Sequence, residues 1–161
     1  MLIIFEGLIA GFIVLVSCVI GIANGAHNMA FFYEEEVQNR ISESGLITKD
    51  KIKKNRMKFM LYGIIPYFIY VILSVYAINK ARSFFEPFWQ MSAILMIEGV
   101  FDRIFIDWYW VNHTKAWEIP GTEDLKPYIN KKAWIRKWIG TIVGFPMIAA
   151  IISFILSLFI K

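Results

Sequence analysis

Residues 2–23 run for 22 positions with one charged side chain, Glu6. At about 1.5 Å per helical residue a stretch of that length crosses a hydrocarbon core of about 30 Å. Residues 57–79 and 137–160 repeat the pattern with Lys58 and Lys137 as their one charge each, and 87–111 matches it in length while carrying four, so the sequence predicts an all-α integral membrane protein, an antiparallel bundle of four transmembrane helices. Composition agrees: 58% of the 161 residues are hydrophobic and 19% charged, where a soluble domain averages about 45–50% apolar. A chain this short is expected to form a single domain over residues 1–161.

The polar segments between the spans set an expected orientation. Residues 24–58 hold seven Lys and Arg and 112–137 hold six, against Lys80 and Arg82 in the 79–86 loop and Lys161 at the end. By the positive-inside rule, loops 24–57 and 112–136 face the cytoplasm of a multi-pass cell-membrane protein with both termini outside. The same bias argues against reading the first span as a cleaved signal, as do its missing basic n-region and its length. A net charge of +4 is then explained by an anionic leaflet, and the partner implied is the lipid bilayer rather than nucleic acid.

The most unusual stretch is Glu98 to His113, EGVFDRIFIDWYWVNH, which sets ionisable residues in an apolar segment. Such residues are costly in hydrocarbon, and they usually face protein or a watery cavity. Projected at about 100° per residue, Glu98, Asp102, Tyr109, Asn112 and His113 fall on one stripe of a helix. Arg103 and Asp107 fall on the other side at i, i+4 spacing, where they are expected to form a structural ion pair. Glu98 and Asp102 lack such a partner on their own stripe. Two carboxylates on one buried face call for a shared proton, a bound cation or a charge from another helix.

Past the first span, Asn24, His27, Phe31, Glu34 and Gln38 recur at spacings of three and four, which predicts a cytoplasmic helical extension of helix one. His27 then lies at the depth of His113, and His27, Glu34, Glu98, Asp102 and His113 together make a candidate cation- or proton-binding set. Its chemistry suits a divalent cation or a proton relay, although the spacing matches no metal motif such as HExxH. One cysteine, Cys18, excludes an intrachain disulfide and leaves a closed structural zinc site short of ligands.

Further signals are local. Gly7 with Gly11, Gly21 with Gly25 and Gly140 with Gly144 are GxxxG pairs that let another helix approach. Pro66 and Pro146 lie inside the second and fourth spans and predict kinks. Thr48 is placed to cap an amphipathic turn. In Trp117 to Tyr128, Pro120-Gly121 suits a type II turn and Thr122 is placed to cap the turn after it, as in an ordered cover over the bundle or an ordinary connection. No P-loop, GxGxxG or GxSxG occurs.

Three function classes follow from this reading. In the first, a small carrier or channel uses Glu98 and Asp102 to bind a cation or proton, although the two halves show no inverted repeat. Four helices enclose little room, so a transport path calls for a homodimer or a larger membrane complex. In the second, a membrane-embedded enzyme acts on a lipid or amphiphile at the cytoplasmic leaflet, with His113 or Glu98 as acid and base. In the third, the chain is an accessory subunit whose charges meet a partner.

Overall fold

The computed structural model describes residues 2–159, and all regular structure among them is helical. Ile160, the last residue of the expected fourth span, and Lys161, used in the charge count, lie outside the described residues. The long elements are α1 (Leu2–Ile22), α2 (Glu35–Glu43), α3 (Lys49–Ile78), α4 (85–111) and α5 (Lys131–Ser157). By length and composition α1, α3 and α5 are long and apolar enough to cross a membrane. α4 is equally long, but Glu86, Glu98, Asp102, Arg103 and Asp107 dilute its apolar character.

Helix one does not continue as a single extension. α1 stops at Ile22, the Gly25 N–H closes a turn on the Ile22 carbonyl at 2.8 Å, and Gly25 takes φ 105°, a conformation open to glycine. A three-ten turn over Ala26–Phe32 follows, and α2 begins only at Glu35. The stripe expected from Asn24 to Gln38 is therefore broken into segments of different direction and pitch.

α3 and α5 instead start earlier than their apolar runs. Thr48 Oγ1 accepts from the Lys51 N–H at 3.3 Å, and Asn130 Oδ1 accepts from the Ala133 N–H at 2.9 Å. Each cap opens a polar stretch that runs on into the apolar segment, because no glycine or proline interrupts it. Inside these helices the backbone widens to i→i+5 turns at Met60–Ile64 and Gly140–Gly144, just before Pro66 and Pro146. A proline ring crowds the carbonyl four residues back, and one wide turn relieves that clash without ending the helix.

α1 lies against α4 at two glycines. A Cβ on Gly7 would sit 2.6 Å from Ile97 Cβ, and one on Gly11 2.9 Å from Phe101 Cδ1, so the contact advances in the same direction along both helices. Gly140 and Gly144 have nothing within 4 Å of an added Cβ, and Gly21 and Gly25 meet only Met29 and His27 nearby in the chain. Of the three glycine pairs, only the first brings two long helices together.

The buried apolar residues form two groups. One joins Ala10, Tyr67, Val71, Met91, Ile94 and Ala149 between the long helices. The other joins Cys18 and Ile106 to Tyr33, Val37, Ile41, Trp117, Ile119 and Tyr128, so the segments outside the apolar helices pack into a cap with its own core. The outward faces of α1, α3 and α5 remain apolar and exposed, from Leu2 and Phe12 through Leu61 and Ile69 to Ile151 and Phe154. So continuous an apolar surface is what a lipid solvent accepts and water does not.

Candidate functional site

Between the long helices and the cap lies a cavity of about 280 Å³. Val14 and Cys18 from α1, Phe59, Tyr67 and Phe68 from α3, and Phe145 from α5 give it apolar walls. Glu98, Asp102, Arg103 and Asp107 of α4 and Lys137 of α5 line it too, with Tyr33, Trp117 and Tyr128 on the cap side.

The charged groups are organised around Arg103 and Asp107. Arg103 Nη1 lies 2.6 Å from Asp107 Oδ2, an ion pair at the i, i+4 spacing. Arg103 Nη2 contacts Asp102, one residue back. Lys137 Nζ reaches across from α5 to donate to the other Asp107 oxygen at 2.6 Å. Glu98, 3% exposed, receives one hydrogen bond, from the Tyr67 hydroxyl to Oε2 at 3.0 Å. The cavity thus holds three carboxylates and two cations. Among the described residues, Glu98 is the carboxylate of the three without an ion pair.

This arrangement revises the projection of two separate stripes. Residues 102–111 form a continuous wide i→i+5 helix, in which each residue advances by less than the 100° of an α-helix. Arg103 and Asp107 consequently line the same cavity as Glu98 and Asp102, and Asp102 has a cation beside it. Tyr109 and His113 rotate off the cavity: Tyr109 is half exposed, and the exposed His113 lies beside Trp108, its ring tilted 53° to the indole, with Nδ1 on the Trp108 carbonyl. Asn112 is kept for the cap, exchanging hydrogen bonds with the Ile129 backbone at 3.2 and 3.1 Å.

The other expected site residues lie elsewhere. Glu34 pairs with Arg136 at 3.0 Å on the surface, and His27 lines a different groove. Among the described residues no three His, Cys, Asp or Glu side chains come together to hold a metal ion. The proposed five-residue set therefore does not assemble into a divalent cation site.

Two residues outside the expected site set matter in the structure. Lys137 sits at the first apolar turn of α5, where a long cationic side chain can snorkel along the wall, and that placement was the available signal. Glu6 is also buried, accepting from Asn79 Nδ2 at 3.0 Å, well away from the cavity lining.

The cap is held by its own polar contacts. Tyr33 OH donates to the Trp117 carbonyl at 2.7 Å, and Tyr128 OH accepts from the Ile119 N–H at 3.2 Å. Burial, with a smaller contribution from Tyr128, pushes the Tyr33 phenol above its ordinary range, so it stays a neutral donor. Pro120-Gly121 forms its turn with Gly121 at φ 80°. Thr122 does not cap the turn that follows. Its hydroxyl donates to the Ile119 carbonyl at 2.8 Å and meets Tyr128 OH at 2.9 Å, because it is wholly buried beneath the turn. Surface ion pairs Arg40–Asp124 and Lys126–Glu118 close the outside.

Comparison with protein-family models, with curated proteins and with solved structures returned no match.

Proposed function

We propose that the chain is an integral membrane protein with four spanning helices, α4 included, and that it handles a proton or a small monovalent cation at Glu98. The observation carrying this reading is the uneven charge of the cavity: Asp102 and Asp107 have Arg103 and Lys137, whereas Glu98 has only a phenol. An isolated buried carboxylate is not tolerated as an anion in apolar surroundings, so it takes a proton or a cation. The lining favours a cation that carries apolar groups, such as an alkylammonium ion, over a bare metal: Phe68, Phe145 and Tyr67 offer ring and hydrocarbon surface and no ligand triad.

The membrane reading accounts for how α4 is tolerated. Its charges are turned inward against Lys137 and one another, while α1, α3 and α5 present apolar faces outward. Residues 24–57 and 112–136 then make the cytoplasmic cap, and residues 2 and 157 lie on the opposite side, following the Lys and Arg bias.

A carrier is the activity that fits best. Proteoliposomes loaded with butylammonium should exchange it for labelled external butylammonium, and Glu98→Gln should abolish exchange. Binding without exchange would favour the second reading, a membrane enzyme acting on an amphiphile, which the combination of apolar walls and a charged floor also suits. Neither binding nor exchange would reject both.

A further inference from the structure

A second groove, of about 600 Å³, opens between the end of α1 and the first turns of α3. Lys51 and Lys58 stand seven residues apart on one face of α3, and His27 and Asn24 face them from the turn after α1. No Asp or Glu lines it, and among the described residues Lys51, Lys58 and His27 form no ion pair. It is therefore the reverse of the Glu98 cavity, a concave site with uncompensated positive charge.

The groove is built rather than incidental. Asn55 Nδ2 donates to the Asn28 carbonyl at 3.0 Å, and Asn28 Nδ2 donates to the Asn24 carbonyl at 3.0 Å and the Gly25 carbonyl at 3.2 Å. These bonds tie the turn to α3 and leave the lysine ammonium groups, with their three donors each, for something else. At its other end the groove runs onto Ile20 and Tyr62, which are 70% and 74% exposed on the apolar outer surface. Polar donors at one end and hydrocarbon at the other match an amphiphile lying along the protein, head inward and chains outward.

We infer that this groove binds the headgroup of an anionic glycerophospholipid in the leaflet beside residues 24–57, its phosphate between Lys51, Lys58 and His27. The inference rests on the membrane reading above. It also gives His27 an anion-binding role in place of the cation-binding one expected from sequence. A soluble phosphate would satisfy the lysines but make no use of the Ile20 and Tyr62 wall, so a lipid is the better occupant. A lysine near an anionic headgroup is worth roughly a fivefold change in affinity, and losing both should weaken binding on the order of 20-fold.

The test uses the full chain purified in detergent, with melting followed as phosphatidylglycerol, phosphatidylcholine or glycerol 3-phosphate is titrated in. Phosphatidylglycerol should raise the melting temperature of the wild type well beyond phosphatidylcholine. Lys51→Gln with Lys58→Gln should lose that rise, whereas Lys53→Gln with Lys54→Gln, the same charge change on the same helix outside the groove, should keep it. Equal loss in both double variants would mean diffuse attraction to a basic helix and would overturn the site. Equal stabilisation by glycerol 3-phosphate would overturn the lipid as occupant, and no preference for phosphatidylglycerol would overturn the anion. Alkaline carbonate extraction of cell membranes separates these from failure of the membrane reading: release into the soluble fraction would reject both together.

Discussion

Glu98 and Asp102 sit one helical turn apart, and what separates them chemically is Arg103, which reaches Asp102 and Asp107 and leaves Glu98 to Tyr67. Asp107 is the residue on which the compensated part of the cavity depends, because it faces Arg103 and Lys137 at 2.6 Å each. Removing one side of a buried ion pair leaves the other charge without compensation. Asp107→Asn should therefore destabilise the protein by roughly 3 kcal/mol, the low end of the usual range because Lys137 is partly exposed. Adding Lys137→Met should recover most of that loss, since Arg103 still has Asp102. Thermal melts of the two single variants and the double variant check this, and additive losses would contradict it. The Arg103–Asp107 contact follows from i, i+4 spacing alone, whereas Lys137 lies 30 residues away and is joined to the pair only by the packing of α5 on α4.

At the scale of elements, the sequence shows where helices run better than how they are wound. Hydrophobic length marks α1 and the apolar parts of α3 and α5, and Thr48 marks the true start of α3 once its side chain is taken as a cap. The wide turns over residues 102–111 carry no equivalent signal, and a 100° projection beyond Asp102 misplaces Tyr109 and His113 for that reason. Glycine spacing is similarly blind to direction: the pairs at 7 and 11 and at 140 and 144 look alike, yet only the first touches another helix. Gly7→Ala should lower the melting temperature, because the new methyl meets Ile97 at its rigid Cβ, an overpacking of about 1–3 kcal/mol. Gly144→Ala should be neutral or slightly stabilising, since alanine is the better helix former by up to about 1 kcal/mol. Equal effects at the two positions would contradict the packing of α1 on α4.

For the whole molecule, the proposed orientation places the cap, with its core of Tyr33, Ile41, Trp117 and Tyr128, on the cytoplasmic side of the membrane. Cysteines introduced at Lys51 and Lys131 in a Cys18→Ala background should react with impermeant reagents only from the cytoplasmic side, and one at Arg82 only from the other. Labelling of position 51 from outside would invert the arrangement. The all-helical character and the apolar helices are legible in composition and run length. The cap is legible only in part: the turn chemistry of Trp117 to Tyr128 allows an ordered cover, but nothing in the sequence joins it to Tyr33 and Ile41, which meet it only once the segments fold against each other. If Glu98 is the acid of the cavity left open to a cation, a melting screen across pH and butylammonium concentration separates wild type, Glu98→Gln and Asp102→Asn. Wild type and Asp102→Asn should be stabilised by the cation, Asp102→Asn from a lower starting temperature, and Glu98→Gln should fold but no longer respond. A Glu98→Gln variant that responds as the wild type does would contradict that role for Glu98.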